Sequence, residues 1–430
     1  MLRRHPRSDR DRRSAGWPEN STVAVYLSVE SSLQSAEATI DNLRADGYTT
    51  VLFVEPSVGP SARARFDRAI VLTPNRRISV LTKIAGLVNQ TLTSMPLGDN
   101  ELVRERVRVS GKATARIQRL LARLPKIAPA TLNRWTARIA GPFVPNVFGT
   151  TTVHAITPVT TPVLLAPRQL DVTVILDSWD QPVRRTAGFL ARHALAWNLD
   201  LAGDWQSYQG CSSTGTIEAY RLKYALDSSR RRSHGSDSPA DGYVLYPMAT
   251  SPNRANWYRA ELLLVDAICM ATARSGHRLM VKPKPNAGPG ELEDVIAPYD
   301  HVSVGEYLTA ALTDDWQITP EYNATRLAEL DGARCVISTA TTFALDAASA
   351  GVPILQLDIR DLYELGDLAA AAHNSHLVRH LYPRAAASLL RPSSLEELTD
   401  EVSRLDELES RMVEASHELA TWIWHERLPS

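Results

Sequence analysis

This sequence of 430 residues has few cysteines, no excess of charge of either sign and no long apolar segment. Its three cysteines, Cys211, Cys269 and Cys335, lie far apart without metal-ligand spacing, so we predict buried thiols in a reducing compartment. The formal net charge of −1 provides no overall basic field, which argues against a nucleic-acid-binding protein. The apolar runs have only the length of β-strands, so we expect none of them to span a membrane.

The first 20 residues are basic, but no apolar stretch follows them, so they do not resemble a secretory signal. We predict a disordered, solvated tail over residues 1–20. The pair Asp9 and Asp11 lies in this tail, and we therefore do not expect it to hold a catalytic metal ion. No Cys/His cluster elsewhere resembles a metal site.

Alternating strand and helix patterns predict two α/β domains, because 430 residues are too many for one ordinary core. Residues 227–241 are polar, contain Gly and Pro and lack an apolar period, which is typical of a linker. We therefore predict an N-terminal Rossmann-like domain over residues 21–226, a C-terminal donor domain over 242–414 and a terminal helix over 415–430. This helix carries large apolar residues, and we expect it to pack against the N-terminal domain.

The local patterns assign most strands and helices. The strands expected in the first domain are 23–29, 50–54, 163–165, 172–176 and 195–197; those expected in the second are 243–246, 278–281, 302–304, 336–337 and 352–357. The helices expected are 31–45, 216–226, 260–275, 322–330, 343–350 and 394–425. The turn after the first strand has no glycine fingerprint, so dinucleotide binding there is not expected.

Residues 101–140 are helical in pattern and strongly basic, with Pro125 and Pro129 marking a break between two helices. Two interpretations of this Arg-rich insertion stay open. The helices could be solvated and cover the sheet, or they could form a docking face for an anionic membrane or an anionic acceptor polymer.

The most informative stretch is residues 335–358, where a buried strand, a hydroxyl-rich turn, a helix over 343–350 and a second strand follow one another. The hydroxyls of the turn belong to Ser338, Thr339, Thr341 and Thr342. A helix N-terminus offers unpaired N–H groups and a positive dipole end, which attract phosphate. Asp346 shares a face with Thr342, and its carboxylate can accept hydrogen bonds from ribose hydroxyls. The stretch predicts a nucleotide-diphosphate site.

Lys282 and Lys284 alternate with prolines directly after a predicted strand, so their positions are stiff. Two fixed ammonium groups there suit the neutralisation of a diphosphate leaving group. Two solvated loop lysines are the equally weighted alternative.

The candidates for acid–base chemistry lie in the first domain. Asp180 and Asp177 follow a predicted strand, and Asp180 is either a general base for an acceptor hydroxyl or a helix cap. Glu30 follows the first strand. His154 lies in a Thr-rich stretch and His193 on a predicted helical segment, and a lone His is more often structural than catalytic.

Three of these motifs together resemble those of GT-B-type transferases of bacterial surface polysaccharides, a group that includes CDP-glycerol glycerophosphotransferase-like enzymes. Residues 177–180 (DSWD) look like the SWD strand end of that group, residues 282–285 (KPKP) are similar to its K-P-H-P loop, and residues 341–346 (TTFALD) have the spacing of its nucleotide motif. Lys284 stands where the family usually has His, and Thr339 where glycerophosphotransferases often have Asp. These departures weaken the glycerophosphoryl interpretation more than the glycosyl one.

The resemblance implies a GT-B-like fold, in which two Rossmann-like α/β domains face an interdomain cleft. It implies a cytoplasmic, metal-independent glycosyltransferase without a separate cofactor, which transfers sugar from a nucleotide-sugar donor to a polysaccharide or lipid-linked acceptor, with peripheral contact to the inner face of the membrane. The donor would be held by Lys282, Lys284, the hydroxyl turn and Asp346. Three alternatives stay open: a glycerophosphotransferase with a CDP-polyol donor, a UDP-sugar 2-epimerase and a non-catalytic binding subunit.

Overall fold

The computed structural model of the protein consists of two parallel β-sheets and the helices that cover them. It describes residues 22–28, 33–73, 75–92, 116, 120, 123–125, 127–156, 162–176, 190–209, 211, 213–216, 241–249, 255–284, 289–306, 320–339, 343–358 and 385–424.

The first sheet has seven parallel strands in the order β3-β2-β1-β4-β5-β6-β7. Residues 23–27 of its central strand have no exposed surface, as expected of a parallel sheet covered on both faces. The strands are β1 Thr22–Leu27, β2 Thr49–Val54, β3 Ala69–Val71, β4 Thr152–Ile156, β5 Asp171–Ile175, β6 His193–Ala196 and β7 Ser213–Thr216.

The second sheet has five parallel strands in the order β10-β9-β8-β11-β12. Its strands are β8 Tyr243–Pro247, β9 Leu279–Lys282, β10 Val302–Val304, β11 Ala333–Ser338 and β12 Ile354–Gln356.

Eleven α-helices belong to the described residues, together with 3₁₀ turns at Gly141–Phe143 and Pro162–Leu165. The helices are α1 Leu33–Ala45, α2 Gly59–Arg65, α3 Arg76–Leu92, α4 Pro129–Ala140, α5 Leu199–Gln209, α6 Ala255–Ser275, α7 Glu291–Ile296, α8 Pro320–Gly332, α9 Phe343–Ala350, α10 Leu395–Ser403 and α11 Leu405–Trp424.

The strand order reverses between β1 and β4 in the first sheet and between β8 and β11 in the second. Open α/β sheets bind ligands beyond the carboxyl ends of their strands at such switch points, because the connections on either side leave in opposite directions. The predicted fold class is confirmed: the chain has two Rossmann-like parallel sheets, as in GT-B-like proteins.

The last helix, α11, packs against α9 and buries Leu419, Ala420 and Ile423 in the core. Near its end the Trp422 carbonyl accepts a hydrogen bond from Asn198 Nδ2 at 3.2 Å, and Trp422 Nε1 donates to Asp200 Oδ2 at 2.7 Å. The end of α11 is therefore attached to the segment that follows β6.

Four local predictions were wrong. Residues 163–165 lie in a 3₁₀ turn instead of a strand, because an apolar run indicates burial without fixing the conformation. His193 lies on β6 instead of a helix, and residues 213–215, which we expect from their composition to belong to the turn over 210–215, lie in β7. The helix predicted over 394–425 is two helices, since Arg404 at the end of α10 leaves the helical conformation with φ −115° and ψ 21°.

The tail 1–20, most of the linker 227–241 and most of the predicted helix 216–226 lie outside the described residues. Within the described part of the chain, no helix has the length and apolar character needed to cross a membrane. All three cysteines are buried and unbridged, as predicted.

Candidate functional site

The carboxyl ends of three adjacent strands meet at the switch point of the second sheet. Pro247 at the end of β8 pairs with Lys282 at the end of β9, and β11, which ends at Ser338, lies on the other side of β8. Because all these strands are parallel, the residues that follow them lie at one edge of the sheet. We refer to this place as the donor edge.

At the donor edge, hydrogen bonds of the Ala249 backbone connect the loop after β8 to the loop after β9 and to helix α6. Lys284 Nζ donates to the Ala249 carbonyl at 2.8 Å, and the Ala249 N–H donates to the carboxylate of Glu261 on α6. The same carboxylate accepts from Tyr246 Oη at 3.0 Å. Lys284 is half-buried, so its ammonium group has a fixed place beside the switch point instead of moving freely in solvent.

Lys282 is fully buried, and its ammonium group forms an ion pair with Glu329 on α8. Burial raises the pKa of Glu329, and the Lys282 charge opposes this rise. A side chain at Gly305 would clash with this pair, since a Cβ there would lie 3.1 Å from Glu329 Oε1. Neither predicted lysine is therefore a solvated loop residue, but the charge of Lys282 is already balanced.

A second buried ion pair joins α8 to α9. Arg326 Nη1 lies 2.8 Å from Asp346 Oδ2, and the two side chains are 3% and 4% exposed. Burial raises the pKa of Asp346 to about 6, although the positive charge of the Arg326 guanidinium lowers this pKa. Arg326 and Glu329 are three residues apart and share one face of α8, so this helix supports both β9 and α9.

The hydroxyl turn before α9 contains one buried hydroxyl of particular interest. Thr339 is 2% exposed, and its Oγ1 has no hydrogen-bond partner among the described residues. The Ser338 hydroxyl already forms a hydrogen bond within the loop, because its Oγ donates to the Thr339 carbonyl at 2.7 Å. Thr341 and Thr342 lie outside the described residues. Since buried hydroxyls are normally paired, the Thr339 hydroxyl is a candidate ligand-binding group.

Of Asp180, Glu30 and His154, only His154 belongs to the part of the chain that the structure describes. Asp180 and Glu30 lie outside the described residues. His154 is buried in the middle of β4, next to Val25 and Thr173 in register, and not at the carboxyl end of the strand. Burial, and secondarily the charge of His193, lower the pKa of His154 to about 3, so it is neutral near pH 7. Its catalytic role stays a prediction.

Sequence reasoning missed several charged residues that organise both sheets. At the donor edge these are Glu261, Arg326 and Glu329, whose helices give no local sign that a charged side chain is buried. In the first sheet Glu55, directly after β2, is buried and accepts a hydrogen bond from Tyr26 Oη. Glu55 could have been predicted from its position directly after an apolar strand. Glu261, Arg326 and Glu329 had no comparable signal in the sequence.

No group of three or more His, Cys, Asp or Glu side chains within the described residues is placed to hold a metal ion.

No known family and no curated protein matches the sequence. Solved structures of similar fold include MurG from Acinetobacter baumannii, with a TM-score of 0.46, 11% identity and 95% of each chain covered. UDP-GlcNAc 2-epimerase from Methanocaldococcus jannaschii has a TM-score of 0.43 and 9% identity, over 89% of this chain and 91% of that chain. Arabidopsis thaliana UGT89C1 complexed with UDP has a TM-score of 0.44 and 11% identity, over 94% of each chain.

The similar structures thus include a UDP-GlcNAc 2-epimerase and, among others, structures described as glycosyltransferases. The fold class rests on the strand order and direction in the two sheets, and similarity at this level adds no argument about activity. The narrower resemblance to CDP-glycerol glycerophosphotransferase-like enzymes stays a prediction.

Proposed function

We propose that this protein is a glycosyltransferase that binds the diphosphate of a nucleotide-sugar donor at the donor edge. The observation that carries the proposal is the buried Thr339 hydroxyl, which has no partner among the described residues and precedes the N-terminus of α9. A phosphate oxygen there would accept a hydrogen bond from the hydroxyl, and the dipole of α9 would favour its negative charge.

The two lysines take different roles in this proposal. Lys284 is held beside the switch point by the Ala249 carbonyl and supplies positive charge to the departing diphosphate. Lys282 is neutralised by Glu329 and positions the loop that carries Lys284. Because Lys284 and the start of α9 supply positive charge, the proposed transfer needs no divalent ion.

Asp346 is the proposed ribose ligand, with Arg326 fixing its orientation from the other side. For the acceptor we propose a cell-surface polysaccharide or a lipid-linked sugar, whose hydroxyl is deprotonated by a first-domain carboxylate. Asp180 is the preferred base, with Glu30 and His154 as the further candidates.

Calorimetric titration with UDP, CDP, GDP and their sugar conjugates tests the donor edge. We expect one nucleotide to bind, and Thr339→Val and Lys284→Met each to weaken that binding by roughly tenfold, because each removes a hydrogen bond to a charged group. Thr173→Val is the matched control: Thr173 also has a buried hydroxyl without a partner among the described residues, but it lies within the first sheet. If no nucleotide binds at millimolar concentration, the proposal is wrong.

The same titration separates the alternatives. Binding of CDP-polyols alone would replace glycosyl transfer with glycerophosphoryl transfer. Inversion at C2 of a UDP-sugar incubated without an acceptor, followed by NMR, would identify an epimerase. Absence of nucleotide binding would favour the non-catalytic subunit.

Because the proposed acceptor is part of the cell surface or carried by a lipid, we also propose peripheral contact with an anionic membrane.

A further inference from the structure

Helix α4 has apolar residues on two faces, and only one face packs against the protein. Leu132, Ala137 and Ala140 are buried. Trp135, Ile139 and Phe143 are 47%, 67% and 74% exposed. Core packing therefore explains the first set and leaves the second, which includes two aromatic side chains, in contact with solvent. We call this second set the apolar stripe.

The three exposed residues form a continuous feature because they are four positions apart. At 3.6 residues per turn, the step of four from Trp135 to Ile139 advances by about 40° around the helix, so these two side chains lie on one face. Gly141–Phe143 is a 3₁₀ turn that directly continues α4 and brings Phe143 onto the end of the stripe. Single exposed apolar residues are common in proteins, but a clustered set that includes Trp and Phe marks an interaction surface.

The surroundings of the stripe are basic. Arg134 and Arg138 are exposed beside Trp135 and Ile139, and Arg168 donates from Nη2 to the Arg138 carbonyl at 3.5 Å. Helix α3, which contacts α4, adds three exposed basic residues, Arg76, Arg77 and Lys83. Neither helix contains Asp or Glu. This concentration of positive charge contrasts with the net charge of −1 of the whole chain.

We propose that the apolar stripe and the basic residues beside it dock on an anionic lipid bilayer. Trp135, Ile139 and Phe143 would enter the boundary between headgroups and acyl chains, while the arginines bind lipid phosphates. A bilayer fits better than a protein partner, since the stripe is a convex helix face flanked by cations of one sign. The inference rests on the membrane contact proposed above.

Co-sedimentation with vesicles tests this docking. We expect the protein to bind vesicles of phosphatidylcholine with 30% phosphatidylglycerol (about that fraction suffices for a negative surface potential) and to bind phosphatidylcholine alone weakly. Raising the salt to about 0.5 M should release it, because screening shortens the reach of the lipid charge. The triple variant Trp135→Ala/Ile139→Ala/Phe143→Ala and the double variant Arg134→Glu/Arg138→Glu should each lower the partition coefficient at least about tenfold.

Matched control variants come from α6, which covers the second sheet. Leu263→Ala/Met270→Ala removes two exposed apolar side chains, and Arg259→Glu/Arg274→Glu reverses two exposed charges. Neither should change vesicle binding by more than about twofold, because bilayer affinity depends on local apolar and basic residues. Circular dichroism melting of every variant separates lost docking from lost folding, since the stripe residues are exposed.

Three results would overturn the proposal: no binding of the wild-type protein to anionic vesicles, equal binding of the stripe variants, or equal loss in the α6 controls. A concentration-dependent dimer in light scattering that the triple variant abolishes, without vesicle binding, would instead assign the stripe to a second copy of the chain. Vesicle binding is measured without nucleotide, so its failure is distinguishable from failure of the donor proposal.

Discussion

The two sheets have the same parallel construction but bury different kinds of polar groups. At the second sheet, charged side chains are buried as pairs, Lys282 with Glu329 and Arg326 with Asp346. Within the first sheet, His154 and Thr173 are buried as neutral groups on adjacent strands, and the buried Glu55 carboxyl group accepts a hydrogen bond from Tyr26 Oη. The countercharges from α8 stabilise the burial of Lys282 and Asp346, because an isolated buried charge would cost far more than a neutral group.

The largest expected effect comes from breaking one of the charged pairs. Glu329→Ala should lower the free energy of unfolding by roughly 3–5 kcal/mol, because it leaves the Lys282 ammonium buried without its countercharge. Replacing both partners, as Lys282→Met/Glu329→Leu, should recover most of this loss. Urea denaturation measures both variants.

The surface residue Arg404, which pairs with Asp400 and Glu407, supplies the control for that prediction. Arg404→Ala should leave the free energy of unfolding unchanged within error, because exposed ion pairs contribute little to stability. If Glu329→Ala also left the free energy of unfolding unchanged, the contrast between the two sheets would not hold.

The second prediction uses the opposite pH responses of the two sheets. His154 has its pKa lowered from 6.5 to about 3, so only the unfolded chain takes up a proton as the pH falls through this window, and stability decreases. Asp346 has its pKa raised from 3.8 to about 6, so the folded protein keeps a proton that the unfolded chain loses, and stability decreases as the pH rises through that window. Between about pH 4 and 6, the two contributions to the free energy of unfolding therefore change with pH in opposite directions.

Single substitutions should separate these slopes. In Asp346→Asn the remaining His154 contribution should lower stability by about 2 kcal/mol between pH 7.5 and 5. His154→Gln should remove that loss. Urea titrations across this range measure both, and an unchanged pH profile in His154→Gln would assign the acid sensitivity to other groups.

The smallest effect concerns the buried hydroxyls that each sheet leaves without a partner among the described residues, on Thr339 and Thr173. In the absence of ligand, Thr339→Val and Thr173→Val should each be neutral or stabilise the fold by up to about 1 kcal/mol, because an unsatisfied hydroxyl is replaced by a methyl group of similar size. Thermal melts measure this. A clear loss of stability in Thr339→Val would mean that its hydroxyl is already paired in solution.

Saturating nucleotide should then distinguish the two threonines. It should raise the melting temperature less in Thr339→Val than in Thr173→Val, because at one ligand concentration the stabilisation falls with the logarithm of the dissociation constant. Equal shifts would remove Thr339 from the donor site.

Much of the second sheet could be predicted because its signals are local. The helix over residues 343–350 and the strand over 302–304 have the predicted bounds, and Gly351 ends α9 with a positive φ of 72°. The first sheet was harder: β4 lies in a Thr-rich stretch whose pattern does not stand out, and the apolar run at 163–165 is buried without pairing.

The candidate site was predicted only in part for a similar reason. Sequence patterns located Lys282, Lys284, Thr339 and Asp346 at one edge of a sheet, since parallel strands end together. Their actual environments depend on α8, which contributes Glu329, 47 residues from Lys282, and Arg326, 20 residues from Asp346.

The sequence by itself therefore determined the two α/β halves, the start and end of α9 and the residue types at the donor edge, because apolar periods and turn residues act over short stretches of chain. The tertiary structure decided which of these residues keep an available charge or hydroxyl. Glu329 from α8 neutralises Lys282 and Arg326 from α8 fixes the Asp346 carboxylate, whereas the Thr339 hydroxyl is buried without a partner among the described residues. That outcome depends on helix packing, which no short segment encodes.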